Sequence, residues 1–139
     1  MSLLAELAQI GPDEVTRPFW DACRRRELRL QRCSACERFR QPPLPGCPWC
    51  GAAESDWPLL SGRGRVFSYT FVHHPAMPSL AGEVPYNVVV VALEGAPDAR
   101  LVSNVVDVAP ADLRIGLPVE VAWDAVREDL VLPRFRPAR

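Results

Sequence analysis

Cys33-Ser34-Ala35-Cys36 and Cys47-Pro48-Trp49-Cys50 place four thiols in two Cys-x-x-Cys knuckles. Each knuckle turns two sulfurs toward one point, and two knuckles complete a tetrahedral shell for a single soft metal ion. Four protein ligands leave no coordination position for water or substrate. The expected role is therefore structural: the ion holds the chain and performs no reaction. Zinc is the expected ion. Iron is the alternative, because Cys47-Pro48-Trp49-Cys50-Gly51 also suits an electron-transfer site.

Other reactive groups are few. The only histidines are the adjacent His73 and His74. Adjacent side chains on an extended segment point to opposite faces, so at most one of them serves a single pocket. A packed or solvated role is expected for both, ahead of a substrate or partner contact. Cys23, the fifth cysteine, falls in a predicted helix and reads as a small buried hydrophobe. No Gly-x-Ser-x-Gly turn and no His-Glu-x-x-His motif occurs. Arg63 and Arg65 flank Gly64, and arginine forks suit a diphosphate. They are the candidate contact for such a ligand, weighed against a pair of solvated charges on a strand edge. Arg24, Arg25 and Arg26 are a second basic cluster, expected to be a solvated helix end.

The composition narrows the partners. The chain has 139 residues and a formal net charge of −1. That balance disfavours nucleic acid as the main partner, since phosphate binding usually leaves a basic excess. All sixteen basic residues are arginine, so no lysine amine is available as a nucleophile. No run of 18 apolar residues exists to span a membrane. The start of the chain lacks the pattern of a signal peptide, which predicts a cytoplasmic, reducing compartment where paired cysteines bind metal.

The elements that must position these groups follow from periodicity and turn signals. Leu3, Leu7 and Ile10 have helical spacing before Gly11-Pro12. A second helix is predicted from Thr16 as its cap and Pro18 in its first turn, with Phe19, Trp20 and Cys23 on its apolar side. Leu28 to Arg32 alternates as a strand leading into Cys33. The stretch from 37 to 46 between the knuckles is a loop stiffened by Pro42, Pro43 and Pro45. Beyond Gly62 the pattern is all-β, with strands expected at 66–72, 86–93, 101–106, 119–126 and 130–135 and a helical turn at 111–116. Phe67, Tyr69 and Phe71 share one face of the first of these and are expected to fill the core. Five strands with a helical turn before the fourth predict a closed barrel of the OB type, with a sandwich as the competing arrangement.

The order of these parts resembles a known family. Phe19-Trp20, then Gln31-Arg32-Cys33, Pro42-Pro43, Cys47-Pro48-x-Cys50-Gly51 and Trp57 are followed by Gly62-Arg63-Gly64-x-Val66-x-Ser68-Tyr69-Thr70, Pro85-Tyr86 and Ile115-Gly116-Leu117-Pro118-Val119. Over roughly residues 15–137 this is similar to the acyl-CoA-associated family catalogued as domain of unknown function thirty-five. The resemblance implies a mainly β chain: a helical segment (1–27), a rubredoxin-like zinc ribbon (28–60) and a five-stranded OB-fold barrel (61–139). It implies an accessory subunit in a hetero-oligomer with a thiolase-superfamily enzyme, which carries the catalytic groups while the small subunit helps form the acyl or coenzyme A path. The competing functions are a single-stranded nucleic-acid binder, with Phe67, Tyr69 and Phe71 as stacking platforms, and a rubredoxin-like electron carrier. In one respect the chain departs from many such knuckles: Glu37 stands after the first pair where glycine is common.

Overall fold

The computed structural model describes residues 11–139; the helix expected over Leu3–Ile10 lies outside the described residues. Helix α1 spans Arg17–Arg24 and buries Phe19, Ala22 and Cys23. Thr16 precedes it but caps nothing with its side chain. Instead, Asp13 closes the preceding turn, its carboxylate accepting from the Thr16 backbone N–H at 2.8 Å and from the Thr16 hydroxyl at 3.0 Å. The sequence places an oxygen-bearing side chain at each position, and the earlier one takes the hydrogen bonds.

Two sheets follow. The first has β1 (Gln31–Cys33) between β2 (Phe39–Arg40) and β3 (Ser55–Asp56), all antiparallel. The second has β4 (Arg63–Val72), β5 (Tyr86–Leu93), β6 (Arg100–Ser103), β7 (Pro118–Arg127) and β8 (Leu130–Pro137), in the order β6-β5-β4-β7-β8. The helical turn before β7 is a 3-10 turn at Pro110–Asp112. The sheet curls until its two ends meet. Phe135 on β8 donates its N–H to the Asn104 carbonyl at 3.0 Å and accepts from the Val106 N–H at 2.7 Å, and Val105 bridges Phe135 in parallel. A five-stranded sheet closed in this way is an OB-type barrel and not a sandwich.

Side chains complete the seam. Asn87 on β5 accepts from the Val105 N–H and donates to the Val105 carbonyl, each at 2.8 Å. The Ser103 hydroxyl donates to the Pro133 carbonyl at 2.7 Å. Arg134, 4% exposed, pairs with Asp124 at 2.6 Å and donates to Asn104. A buried guanidinium needs such partners, because an unpaired buried charge costs several kcal/mol (about 3–5).

The core is continuous from helix to barrel. Phe19 and Cys23 of α1, Leu28, Leu30 and Phe39 of the ribbon, and Val66, Val89, Val91, Val119 and Phe135 of the barrel form one buried cluster. Cys23 is fully buried and burial pushes its thiol up to about 12, as expected of a packing residue. Among the described residues, no helix is long and apolar enough to cross a membrane.

One expectation about the core fails. Phe67 and Tyr69 are exposed, and Phe71 is only partly buried. The pairing of β4 with β5 shifts register between Val66 and Ser68, which places a bulge at Phe67. A bulge redirects the residues after it. In addition, β4 pairs with β7 only over Arg63–Arg65, so its second half runs past the closed part of the barrel. Val66, before the bulge, is buried against the core.

Candidate metal centre

The ribbon's backbone brings the four thiols together. β1 delivers Cys33, and the turn after it returns to β2 through the Glu37 N–H, which donates to the Cys33 carbonyl at 2.9 Å. The second knuckle repeats this contact: the Gly51 N–H donates to the Cys47 carbonyl at 2.9 Å. Glu37 has φ 65° and Gly51 has φ 81°, so both knuckles have the same left-handed turn although only one has glycine there. A side chain at such a φ costs about 1–2 kcal/mol. Replacing Glu37 with Gly is therefore expected to raise stability by about 1 kcal/mol, seen as a higher denaturation midpoint with unchanged zinc content; an equal or lower midpoint would contradict it.

All four sulfurs lie within 4.8 Å of one another. Cys33 to Cys50 and Cys36 to Cys47 are each 3.6 Å. Thiolates around zinc at ~2.3 Å form a tetrahedron with edges of ~3.8 Å, so the donor set fits the ion. Backbone amides prepare the two buried sulfurs, Cys33 and Cys47. The Ala35 and Cys36 N–H groups approach the Cys33 sulfur at 3.4 Å each. The Cys36 N–H leads in lowering the Cys33 thiol, with burial opposing it. Burial pushes the Cys47 thiol up, but the amides of Cys50 and Trp49 outweigh it and bring it down to about 6. Donors aimed at a sulfur favour its charged form, which is the form a metal takes. Cys33 and Cys47 are buried, and Cys36 and Cys50 are exposed. The Arg38 guanidinium lies 5.3 Å from the Trp49 ring centroid, tying the two knuckles together outside the thiol cluster.

Two buried polar residues that hydropathy does not reveal secure the loop between the knuckles. Proline has no N–H, so the loop of Pro42, Pro43 and Pro45 offers few donors. Gln31 accepts from the Leu44 N–H at 2.9 Å and donates to the Leu44 carbonyl and the Ser55 hydroxyl, each at 3.0 Å. Arg40 donates to Gln31 at 3.0 Å and to the Leu44 carbonyl at 3.3 Å. Gln31→Ala strands these groups in a buried site and is expected to cost about 1–3 kcal/mol. Chemical denaturation of the zinc-loaded variant checks this, and an unchanged midpoint would show that the loop holds without Gln31.

The remaining candidate residues lie apart from the thiols. His73 and His74 are both exposed, just past the end of β4. Arg63 and Arg65 are exposed on β4 and line a groove of about 390 Å³ with Gly64, Ala92, Glu94, Pro118 and Ala138. Arg63 approaches Glu120 at 3.8 Å, and Arg65 donates to the Gly116 carbonyl at 3.0 Å. Gly64 has a packing role. A Cβ there would meet the Ala92 carbonyl oxygen at 2.5 Å and Val91 at 2.9 Å, so glycine allows β4 to approach β5. Of the Arg24–Arg26 cluster, Arg24 pairs with Asp21 at 2.5 Å and Arg25 reaches Glu27 at 3.5 Å, as a solvated helix end does.

Comparison with known proteins agrees with this architecture. Residues 20–56 match the family model described as "ChsH2, rubredoxin-like zinc ribbon domain", and residues 57–124 match "ChsH2, C-terminal OB-fold domain". A "DUF35 domain-containing scaffold protein" of Methanothermobacter thermautotrophicus is 32% identical over 117 residues, covering 84% of this chain and 86% of that protein. The chain belongs to the DUF35 family. Its four-cysteine centre is thus the structural zinc site of a DUF35 ribbon. Another relative, a "Probable enoyl-CoA hydratase alpha subunit" of Thermomonospora curvata, is 45% identical over 122 residues. That match covers 86% of this DUF35 chain but 37% of the hydratase subunit, so the chain spans well under half the length of that relative. Among solved structures, a chain of "Ltp2-ChsH2(DUF35) aldolase" aligns with a TM-score of 0.83 and 40% identity, covering 94% of this chain and all of that one.

Proposed function

We propose that this chain is a non-catalytic partner subunit of a thiolase-superfamily enzyme acting on acyl-CoA or related acyl substrates. It orders a hetero-oligomeric complex in the cytoplasm and helps form the path for the acyl carrier. The observation that carries this reading is the likeness, over 94% of this chain, to a chain of "Ltp2-ChsH2(DUF35) aldolase". Relatives named as scaffold proteins support it. So does the chemistry of the chain: four thiols fit a closed zinc shell, Cys23 is buried, and both histidines are exposed. The ribbon is taken as residues 28–60 and the barrel as 61–139, joined by the common core.

Arg63 and Arg65 are the proposed contact for coenzyme A phosphates, at the groove they line. An incoming diphosphate would replace the weak 3.8 Å approach of Arg63 to Glu120 with charge-assisted hydrogen bonds. Nucleic-acid binding has less support. Phe67 and Tyr69 are exposed as stacking would require, but the formal charge is negative and lysine is absent.

Co-expression with an Ltp2-type aldolase, or with thiolase-superfamily proteins of the same genome, tests the reading. A complex of fixed stoichiometry that survives gel filtration is expected. Separate elution of the zinc-loaded chain from every such protein would refute it.

A further inference from the structure

We infer that the outer face of β4, β5 and β6 is the surface that docks the partner, and that the partner's complement is an apolar patch carrying a carboxylate. Strand register defines this face. Ser68 on β4, Val90 on β5 and Val102 on β6 lie in one cross-strand row; Arg65, Ala92 and Arg100 form the next; Thr70 and Val88 form a third. Directly opposed residues share a side of the sheet. The other side is the core, where Val89 and Val91 are fully buried and Leu101 nearly so. On the outer side Val102 is 65% exposed, and Phe67, at the bulge, is 53% exposed. These residues form an apolar strip across three strands, of the kind that marks a protein contact.

Charge selects the occupant. Arg100 lies with its guanidinium 4.6 Å from the Phe67 ring centroid, and it donates to the carbonyls of Pro97 and Ala99 at 3.0 Å each. Neither Arg100 nor Arg65 makes an ion pair among the described residues, and the strand positions of the face carry no carboxylate. A second copy of this chain would set two more cations on the strand positions of this face and no acid there, its Glu94 lying in the adjoining groove instead. A different protein with an acidic residue in an apolar patch would complement both. Arginine on an aromatic ring at the border of an apolar surface is also a common energetic anchor of protein interfaces. The strip is the outside of a barrel, whereas small ligands are held in concave sites, so a protein surface fits it better than a free acyl chain. It is continuous with the Arg63–Arg65 groove, and a partner seated here would cover one side of that groove. The inference rests on the reading of this chain as a partner subunit.

Titration calorimetry of the zinc-loaded chain against the thiolase-superfamily enzyme that co-expression identifies tests the face. Val102→Arg and Phe67→Ser are each expected to raise Kd by at least about 30-fold, as loss of a central contact does. Arg100→Glu is expected to slow association about tenfold and to flatten its salt dependence. Leu59→Arg, a change at an exposed residue on the ribbon side, is expected to leave Kd within about threefold. Val102, Phe67 and Leu59 are exposed, so unchanged melting midpoints are expected for those three variants. Wild-type affinity in both Val102→Arg and Phe67→Ser would overturn the choice of face while leaving the partner-subunit reading intact. Failure of the wild-type chain to bind any such enzyme would overturn both. A homodimer of the chain alone, broken by Val102→Arg, would assign the face to a second copy and also overturn the inference.

Discussion

A Cys47→Ser chain is expected to bind well under one zinc per molecule and to lose at least 10 °C from its melting midpoint. The ribbon has little else to hold it. Its strands are two or three residues long, and its buried hydrophobic residues are only Leu28, Leu30, Phe39 and Leu60 beside Cys33 and Cys47. Each such side chain contributes about 1.5–3 kcal/mol on burial, against an ordering cost of about 1–2 kcal/mol for every fixed residue. The metal makes up the difference: structural zinc in small fingers is worth about 10–16 kcal/mol of apparent binding energy. Serine replaces a soft thiolate with a hydroxyl that stays protonated near neutral pH, so the shell loses a quarter of its charge as well as a ligand. The loss spreads beyond the ribbon, because Leu28 and Leu30 belong to the same cluster as Val66 and Phe135. Elemental analysis with calorimetry checks the expectation. One zinc per chain and an unshifted melt in the variant would contradict it; a red wild-type protein containing one iron would revive electron transfer.

Phe135→Ala is expected to have the largest effect of any barrel substitution. The ring is fully buried, and the residue stands where the segment after β6 meets β8. Its own N–H and carbonyl make the closing hydrogen bonds, so the side chain fills the space that lets those bonds form. Truncating a buried phenylalanine costs about 3–5 kcal/mol in lost transfer energy and cavity formation. For a chain of this size that lowers the melting midpoint by roughly 6–20 °C. Zinc stoichiometry should hold at one, since the four ligands lie in the ribbon and not at the seam. An Ile115→Ala control, at a residue 69% exposed, should stay within about 0.5 kcal/mol. A melt of Phe135→Ala that matched this control would mean the seam closes without its ring.

The metal centre was legible because ligand type and spacing alone define it. The same holds for β5, whose run of β-branched residues leaves few other conformations. The left-handed turn at Glu37 was not legible, since the residue there departs from the glycine that usually marks such a turn. The short strands β2 and β3 were not, since two residues carry no periodicity. The aromatic face of β4 misled for a different reason. Alternation through Phe67, Tyr69 and Phe71 specifies a shared side, but a bulge and the early end of β7 pairing decide what lies on that side. Neither is written in the strand itself. Gln31, Arg40 and Arg134 were hidden likewise. A polar side chain becomes buried when distant backbone groups need a partner, and that need appears only once the proline loop and the barrel seam are in place.

The scaffold account is tested most directly by following thioester turnover while the zinc-loaded chain is titrated into the proposed thiolase-superfamily partner, with the chain alone as the baseline. The account predicts no turnover by the chain alone. It predicts that the partner's rate rises and saturates at a fixed ratio of subunits. Turnover by the purified chain in the absence of any partner would contradict it.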